Sequence, residues 1–294
     1  MINLTFMCDV PMRLHPCGNF FLSFPDDHKL PEIHRSHALY DRSYSWIIKS
    51  LSDWKPNAAI IDIGANVGDT AAYIRTHAAN PIVCVEGGQN FLDHLHHNAK
   101  IIDSDHIHIV DRFVSPNNST SLSASFIEDR GTGRLVFDDG QELQSITTSN
   151  LLRYARNIGD GDIALVKTDT DGMDALIVRD LLDSGPDFAI HFECDYILTR
   201  SLGRPDLWTS ILQDLKDRDW SSIVFDNYGL PMMFMDKTQP EILENVQAWI
   251  HLQHQVGMVR THYVDIFSFP PDASHVYNQA KNSISSTLLF PYRY

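Results

Sequence analysis

Between residues 58 and 269, short apolar runs alternate with stretches that suit helices. Ala58-Ala-Ile-Ile-Asp-Ile63, Pro81-Ile-Val-Cys-Val-Glu86, His106-Ile-His-Ile-Val110, Ile163-Ala-Leu-Val-Lys-Thr168 and Phe188-Ala-Ile-His-Phe-Glu193 read as five strands. A run that is apolar on both faces is what a parallel sheet covered by helices on each side requires. Helices fit 69–77, 90–101 and 206–218. Strands at 222–225 and 263–269 flank a further helix over about 241–255, and these two strands can pair antiparallel at an edge. Such alternation builds βαβ units. The expected fold is α/β and Rossmann-like, with a mostly parallel seven-stranded sheet and an antiparallel edge strand. Upstream, Asn19-Phe-Phe-Leu-Ser-Phe24 suits a strand, Pro25-Asp-Asp-His28 a turn and 40–53 a helix. Residues 1–57 therefore read as an N-terminal cap segment and 58–294 as the main domain, with an insertion at about 230–258.

The most informative local stretch is Ile61-Asp-Ile-Gly-Ala-Asn-Val-Gly-Asp-Thr70. Gly64 ends the first strand and Gly68 opens a helix, so the turn lets a ligand lie close to the backbone across the strand ends. Glu86 closes the second strand, where a carboxylate can accept from both hydroxyls of a ribose. A dinucleotide fingerprint would need a second glycine where Asn66 stands, because that glycine lets the backbone reach a pyrophosphate. Asp62, just before the turn, would repel phosphate and attract a cationic group. S-adenosylmethionine, with a ribose and a cationic end but no phosphate, fits better than a nicotinamide dinucleotide.

These residues resemble the first motif of class I S-adenosylmethionine-dependent methyltransferases, in the form seen in the FkbM family. Ile146-Thr-Thr-Ser-Asn-Leu-Leu152 lies where that family has a T-x-LDDLL-like helix start, although Ser149 and Asn150 depart from it. Val166-Lys-Thr-Asp-Thr-Asp-Gly-Met-Asp174 is similar to its K-x-D-x-[E/D]-G-x-[E/D] signature at the fourth strand. Phe192-Glu193 and Phe225-Asp-Asn-Tyr-Gly229 match the ends of its fifth and sixth strands. The resemblance spans about residues 58–269. It implies O-methylation of a hydroxyl, on a sugar of a surface-polysaccharide precursor or on a secondary metabolite. It also implies a cofactor site of Asp62, Gly64, Ala65, Asn66, Gly68, Thr70, Glu86, Gly87, Asp111 and Asp169, with Asp111 near the adenine amino group. A nucleotide-dependent oxidoreductase is the alternative, disfavoured by Asn66. A non-catalytic methyltransferase-like module would be expected to have lost Gly64, Glu86 or Asp169, and all three are present.

Asp169, Asp171 and Glu193 are the candidate catalytic residues. Asp169 and Glu193 each continue an apolar strand into the strand-end crevice. A hydroxyl acceptor must lose a proton as the new bond forms, to a base or after a metal lowers its pKa. Carboxylates suit Mg²⁺, but their proximity alone does not make a metal site, and a metal-free site is expected. Lys167 shares a strand face with Asp169 and is expected to orient it by ion pairing. Asp174 and Asp195 read as helix caps, His191 as a core histidine, and the His94-x-His96-His97 run as a solvated helix face. Core packing is the reading for Phe20, Phe21, Phe24, Tyr40 and Tyr44.

Composition narrows the partners. In 294 residues, 23 Lys and Arg against 38 Asp and Glu leave a formal charge of −15. No Lys/Arg cluster supplies the basic footprint that nucleic acid needs. No apolar run reaches the roughly 18 residues needed to span a bilayer, and the N-terminus lacks a signal-peptide pattern. Four scattered cysteines, Cys8, Cys17, Cys84 and Cys194, form no CxxC pair. They read as reduced thiols in a cytoplasmic protein. A homo-oligomer is compatible with all of this.

Overall fold

The computed structural model describes residues 13–117, 122–200, 202–204 and 206–289, so Cys8 lies outside the described residues. The chain opens with a hairpin, β1 (Arg13–Cys17) and β2 (Phe20–Phe24), then α1 (Leu30–Ser36) and α2 (Arg42–Trp54). Alternating elements follow: β3 (Ala59–Ile63), α3 (Asp69–His77), β4 (Ile82–Glu86), α4 (Gln89–Asp103) and β5 (Ile107–Asp111). The segment 113–147 holds β6 (Phe113–Ser115), β7 (Leu122–Asp129), β8 (Thr132–Leu143) and β9 (Ser145–Thr147). Then come α5 (Thr148–Ile158), β10 (Ile163–Thr168), α6 (Asp174–Asp183), β11 (Ala189–Cys194), α7 (Tyr196–Arg200) and α8 (Leu207–Asp217). The chain continues through β12 (Ser221–Asp226), β13 (Pro231–Met235), α9 (Pro240–Val256), β14 (Val264–Phe269) and α10 (Ser274–Leu289).

The main sheet runs β13-β12-β14-β11-β10-β3-β4-β5. Strands β5, β4, β3, β10 and β11 pair in parallel, while β14 runs antiparallel to both β11 and β12. The expected α/β class is thus what the chain adopts. One strand was added to the expected seven. Its edge strand, β13, pairs antiparallel with β12 and comes from the segment read as an insertion. The β3, β4, β10 and β11 runs are buried along their whole length. Two apolar clusters show why. One packs α2, α3, α4 and α10 on one face of the sheet, and the other packs α5, α6, α8 and α9 on the opposite face.

Helix α2 is a member of the first layer, with Ile47, Ile48 and Leu51 completely buried. Side chains of α4 fasten the β1–β2 hairpin, Asn98 foremost. Asn98, fully buried, donates from Nδ2 to the Ser23 and Val67 carbonyls and accepts from the Ser23 amide at 2.7 Å. His94 is buried in the same seam, 2.8 Å from the Ser23 hydroxyl, so only His96 and His97 of the expected solvated face are exposed.

The sheet order reverses between β3 and β10: the chain winds outward through β4 and β5, then returns. In open α/β sheets ligands bind outside the carboxyl ends of the strands at such a switch point. Here Gly64 follows β3 at φ +78°, and a Cβ on it would sit 1.9 Å from the Asp169 carbonyl oxygen. The glycine is needed by this backbone approach whether or not a ligand is present.

Truncating Asn98 should leave three buried backbone groups without partners, at about 1–3 kcal/mol each. Asn98→Ala is therefore expected to lower stability by at least about 2 kcal/mol in urea unfolding. An unchanged midpoint would show that the hairpin is held elsewhere.

Candidate active site

A cavity opens over the ends of β3, β4, β10, β11 and β14. Its floor is built by Gly64, Asn66, Glu86, Gly87, Asp169 and Asp171, with Glu193, His191, Tyr263 and Asp265 on the β11–β14 side. Tyr40, Asp41 and Tyr44 from the N-terminal segment wall it. Phe126 and Gly131–Gly133, from the β7–β8 hairpin, close over it.

The buried pivot is Lys167. It lies opposite Asp62 in the β3–β10 register, its Nζ donating to Asp62 Oδ1 at 3.1 Å and pairing with Asp169 Oδ2 at 3.3 Å. Burial works to lower its pKa, but the Asp62 and Asp169 charges outweigh this and hold it well above the usual lysine value. The ammonium therefore stays charged. Asp62 is completely buried and does not line the cavity, so its charge meets Lys167 and not a ligand. That corrects the expectation that Asp62 faces a cationic group. Asp169, by contrast, keeps about half of its side chain open.

Of the other expected cofactor residues, Gly64, Asn66, Thr70, Glu86 and Gly87 reach the cavity wall. Ala65 is buried behind the turn, its amide bonded to the Val85 carbonyl. Gly68 caps α3 at φ +87°, a conformation that favours glycine, and backs onto Leu95. Asp111 does not come to the cavity. Although it is the register partner of Glu86 in the parallel β4–β5 pair, it is exposed and bonded to His96 of α4 at 3.1 Å, while Arg112 and Phe113 line the cavity.

Glu86 is 7% exposed and takes hydrogen bonds from the Asn66, Gly87 and Gly88 amides at 2.7–2.9 Å. Burial raises its pKa and these amides pull it back. Asn66, at φ +49°, spans the cavity: its amide donates to the Gly131 carbonyl at 2.8 Å, and its Oδ1 lies 3.2 Å from His28 Nε2. Asp69 sits in the first turn of α3 and also lines the cavity. Burial, then the charge of Asp41, lifts its pKa to about 7.

Among the candidate catalytic acids, Asp171 adopts φ +50°, and burial followed by the Asp169 and Asp174 charges raises it to about 7. Glu193 is 4% exposed, and burial with the neighbouring aspartates pushes it well above the usual carboxylate range. Asp174 accepts from Thr168 Oγ1 and the Thr170 and Gly172 amides, and Asp195 accepts from the Ile197 and Leu198 amides. Asp195 caps α7 as expected, whereas Asp174 is no helix cap: it opens α6 and ties down the loop before it. His191 is a core residue stacked on Phe267, with Nδ1 3.1 Å from the Tyr44 hydroxyl. Tyr40 and Tyr44, read as core packing, line the cavity. Sequence reasoning also missed Asp41, Tyr263 and Asp265. Only the apolar–acidic alternation Tyr263-Val-Asp265 hinted that β14 would turn a carboxylate inward. Among the described residues, no group of three or more His, Cys, Asp or Glu is arranged to hold a metal ion.

No protein-family model matches the chain, and no curated protein matches it. Solved structures with a similar chain path include an rRNA methylase from Streptococcus thermophilus (TM-score 0.42, 9% identity, 78% of this chain and 94% of that one). Another is an O-methyltransferase from Bacillus cereus in complex with SAH (TM-score 0.41, 11% identity, 84% and 92%). A third is a precorrin-6y C5,15-methyltransferase from Geobacter metallireducens (TM-score 0.36, 11% identity, 75% and 84%). The reading of the site rests on its own geometry.

The raised Asp69 and Asp171 values have a consequence for pH. A carboxyl whose folded pKa exceeds its unfolded value adds stability at low pH, which is lost as pH rises through the folded pKa. These two should therefore make the thermal midpoint fall between about pH 4 and pH 7. Asp171→Asn should flatten that fall. A midpoint that rises over this range, or an unaltered slope in the variant, would contradict the assignment.

Proposed function

We propose that the chain is an S-adenosylmethionine-dependent methyltransferase of FkbM-like type, working on a hydroxyl of a saccharide or secondary metabolite. The observation that carries this reading is the buried Glu86 carboxylate beside a turn whose middle position holds Asn66 instead of glycine. The carboxylate retains acceptor capacity toward ribose hydroxyls after its three amide bonds, since two ionised oxygens offer about four lone-pair sites. Phosphate is poorly served at the same place. The Asn66 side chain is committed across the cavity, and Asp69 stands at the helix end that would otherwise attract an anion. A ligand with a ribose and a positive end suits both facts, and a nicotinamide dinucleotide suits neither.

When bound, the cofactor supplies a methyl group made electrophilic by its sulfonium. The chain's part is to hold the acceptor in line and to receive its proton. Asp169 is the carboxylate placed for this, open to the cavity and fixed in direction by Lys167. Asp171 and Glu193 complete the acidic wall. Asp169 also faces the region where positive charge would lie. Large apolar surfaces of Phe91, Phe113 and Phe126 offer a wall for a planar base near Glu86. No described helix is long and apolar enough to cross a membrane. Cys17, Cys84 and Cys194 are free and buried, which fits the cytoplasmic location included in this reading. The overall charge of −15 favours a small acceptor over nucleic acid.

The test couples Glu86 to the ribose. Glu86→Ala should weaken S-adenosylhomocysteine binding by about 1.5–3 kcal/mol, the scale of hydrogen bonds to a charged group. Removing a ribose hydroxyl from the ligand should cost the wild type a comparable amount and the variant almost nothing, because contacting groups are non-additive. Additive losses would remove Glu86 from the ribose, and unchanged affinity in the folded variant would remove it from the site.

A further inference from the structure

Resting on the reading above, we propose that the acceptor carries a protonated amine, held by Glu193 and Asp265 in the half of the cavity remote from Glu86. These two residues are direct register partners across the antiparallel β11–β14 pair. Strand neighbours of this kind bring side chains on one face within about 4.5–5.5 Å at Cβ. Both line the cavity, together with Tyr40, Tyr263 and His191.

No described lysine or arginine pairs directly with either carboxylate, although the Lys167 charge acts on Asp265 from a distance. Among the described residues, neither carboxylate accepts a hydrogen bond, and the nearest basic atom to Asp265 is His191 Nε2 at 3.9 Å. That histidine cannot supply the charge: burial, followed by the nearby Lys167 ammonium, holds its pKa well below the ordinary value. Its Nε2 is itself buried without a hydrogen-bond partner, in a residue 5% exposed, a second polar group on this wall left to a ligand. Lys167, the cation of the floor, is already engaged by Asp62 and Asp169.

One positive group on the methyl donor does not answer this wall. Adjacent strands lie about 4.8 Å apart, so β14 is roughly 10 Å from β10, whose end carries Asp169. A cation directly over Asp169 is nearer to Glu193, on the adjacent strand, than to Asp265 one strand further on. A second cation, brought by the acceptor, offers its N–H donors to Glu193 and Asp265. Tyr40 and Tyr263 line the same part of the cavity as the carboxylates, and aromatic rings can favour a positive charge. Burial and the neighbouring acids hold both carboxyls well above the usual range while the wall is empty. A neutral polyol would therefore meet them protonated, whereas an ammonium would draw them into the ionised form.

The experiment is calorimetry with matched probes: glucosamine against glucose, and benzylamine against benzyl alcohol, with and without S-adenosylhomocysteine. At least one amine should bind tenfold or more tightly than its neutral partner. Glu193→Gln and Asp265→Asn, each checked by unfolding midpoint, should erase that preference. Equal binding of amine and neutral partner would identify a polyol site and overturn the proposal. So would failure of both amines to bind, or a preference that survives both substitutions. S-adenosylhomocysteine affinity is read separately in the same titrations, so loss of the cofactor reading and loss of the amine site are distinguishable.

Discussion

The site hangs on a buried lysine between two aspartates. Lys167 bridges β10 to Asp62 on β3, at the place where the sheet order reverses and where the cavity has its floor. Taking two charges out of water costs several kcal/mol per ion, which only good geometry and further bonds offset. Here the lysine serves two acids of unequal exposure. Asp62 is sealed within the sheet, whereas Asp169 opens to the cavity. The pair therefore fixes the direction of the one carboxylate that must stay accessible. It also makes both strands end in register, so that the Gly64 turn and the Asp169 carbonyl come into contact.

Charge elsewhere in the cavity follows a gradient. The Glu86 end is rich in backbone amides and aromatic rings, and its acid is tied down by three N–H groups. The opposite end has the carboxylates of Glu193 and Asp265, which accept no hydrogen bond among the described residues. The β7–β8 hairpin borders the Glu86 end and reaches back to the N-terminal segment, the Lys29 amide bonding to the Arg130 carbonyl and the Asn66 side chain to the Gly131 carbonyl. Segments far apart in sequence thus share one enclosure.

The sheet was legible because each central strand is a short run buried on both faces, a pattern that helices and loops do not imitate. Glu86, Gly64 and Asp169 were legible for a related reason: each stands at the last position of such a run or just after it. The β7–β8 hairpin was not. Its turn is Arg130-Gly131, both with positive φ, and arginine gives no turn signal of the kind Asn-Gly does. Its strands are half-exposed, so their alternation is weak. Asp62 was misplaced because a strand-end acid looks the same in sequence whether its partner is a ligand or a lysine on the next strand. Asp111 shares a sheet face with its register partner Glu86 but is drawn aside by His96 of α4, a long-range contact that strand pattern does not reveal. Asp265 lies on, and Tyr263 just before, a strand inserted antiparallel between β11 and β12, and no local pattern reveals which strand ends share a cavity.

Direct titration of the unaltered protein with S-adenosylmethionine, S-adenosylhomocysteine and NAD tests the central claim. If Glu86 is the ribose acceptor proposed, the cavity that joins it to an acidic wall should take the first two with saturable heats at one site per chain. NAD should give none. Binding of NAD in preference to either sulfur compound would contradict the account, as would the absence of binding by all three.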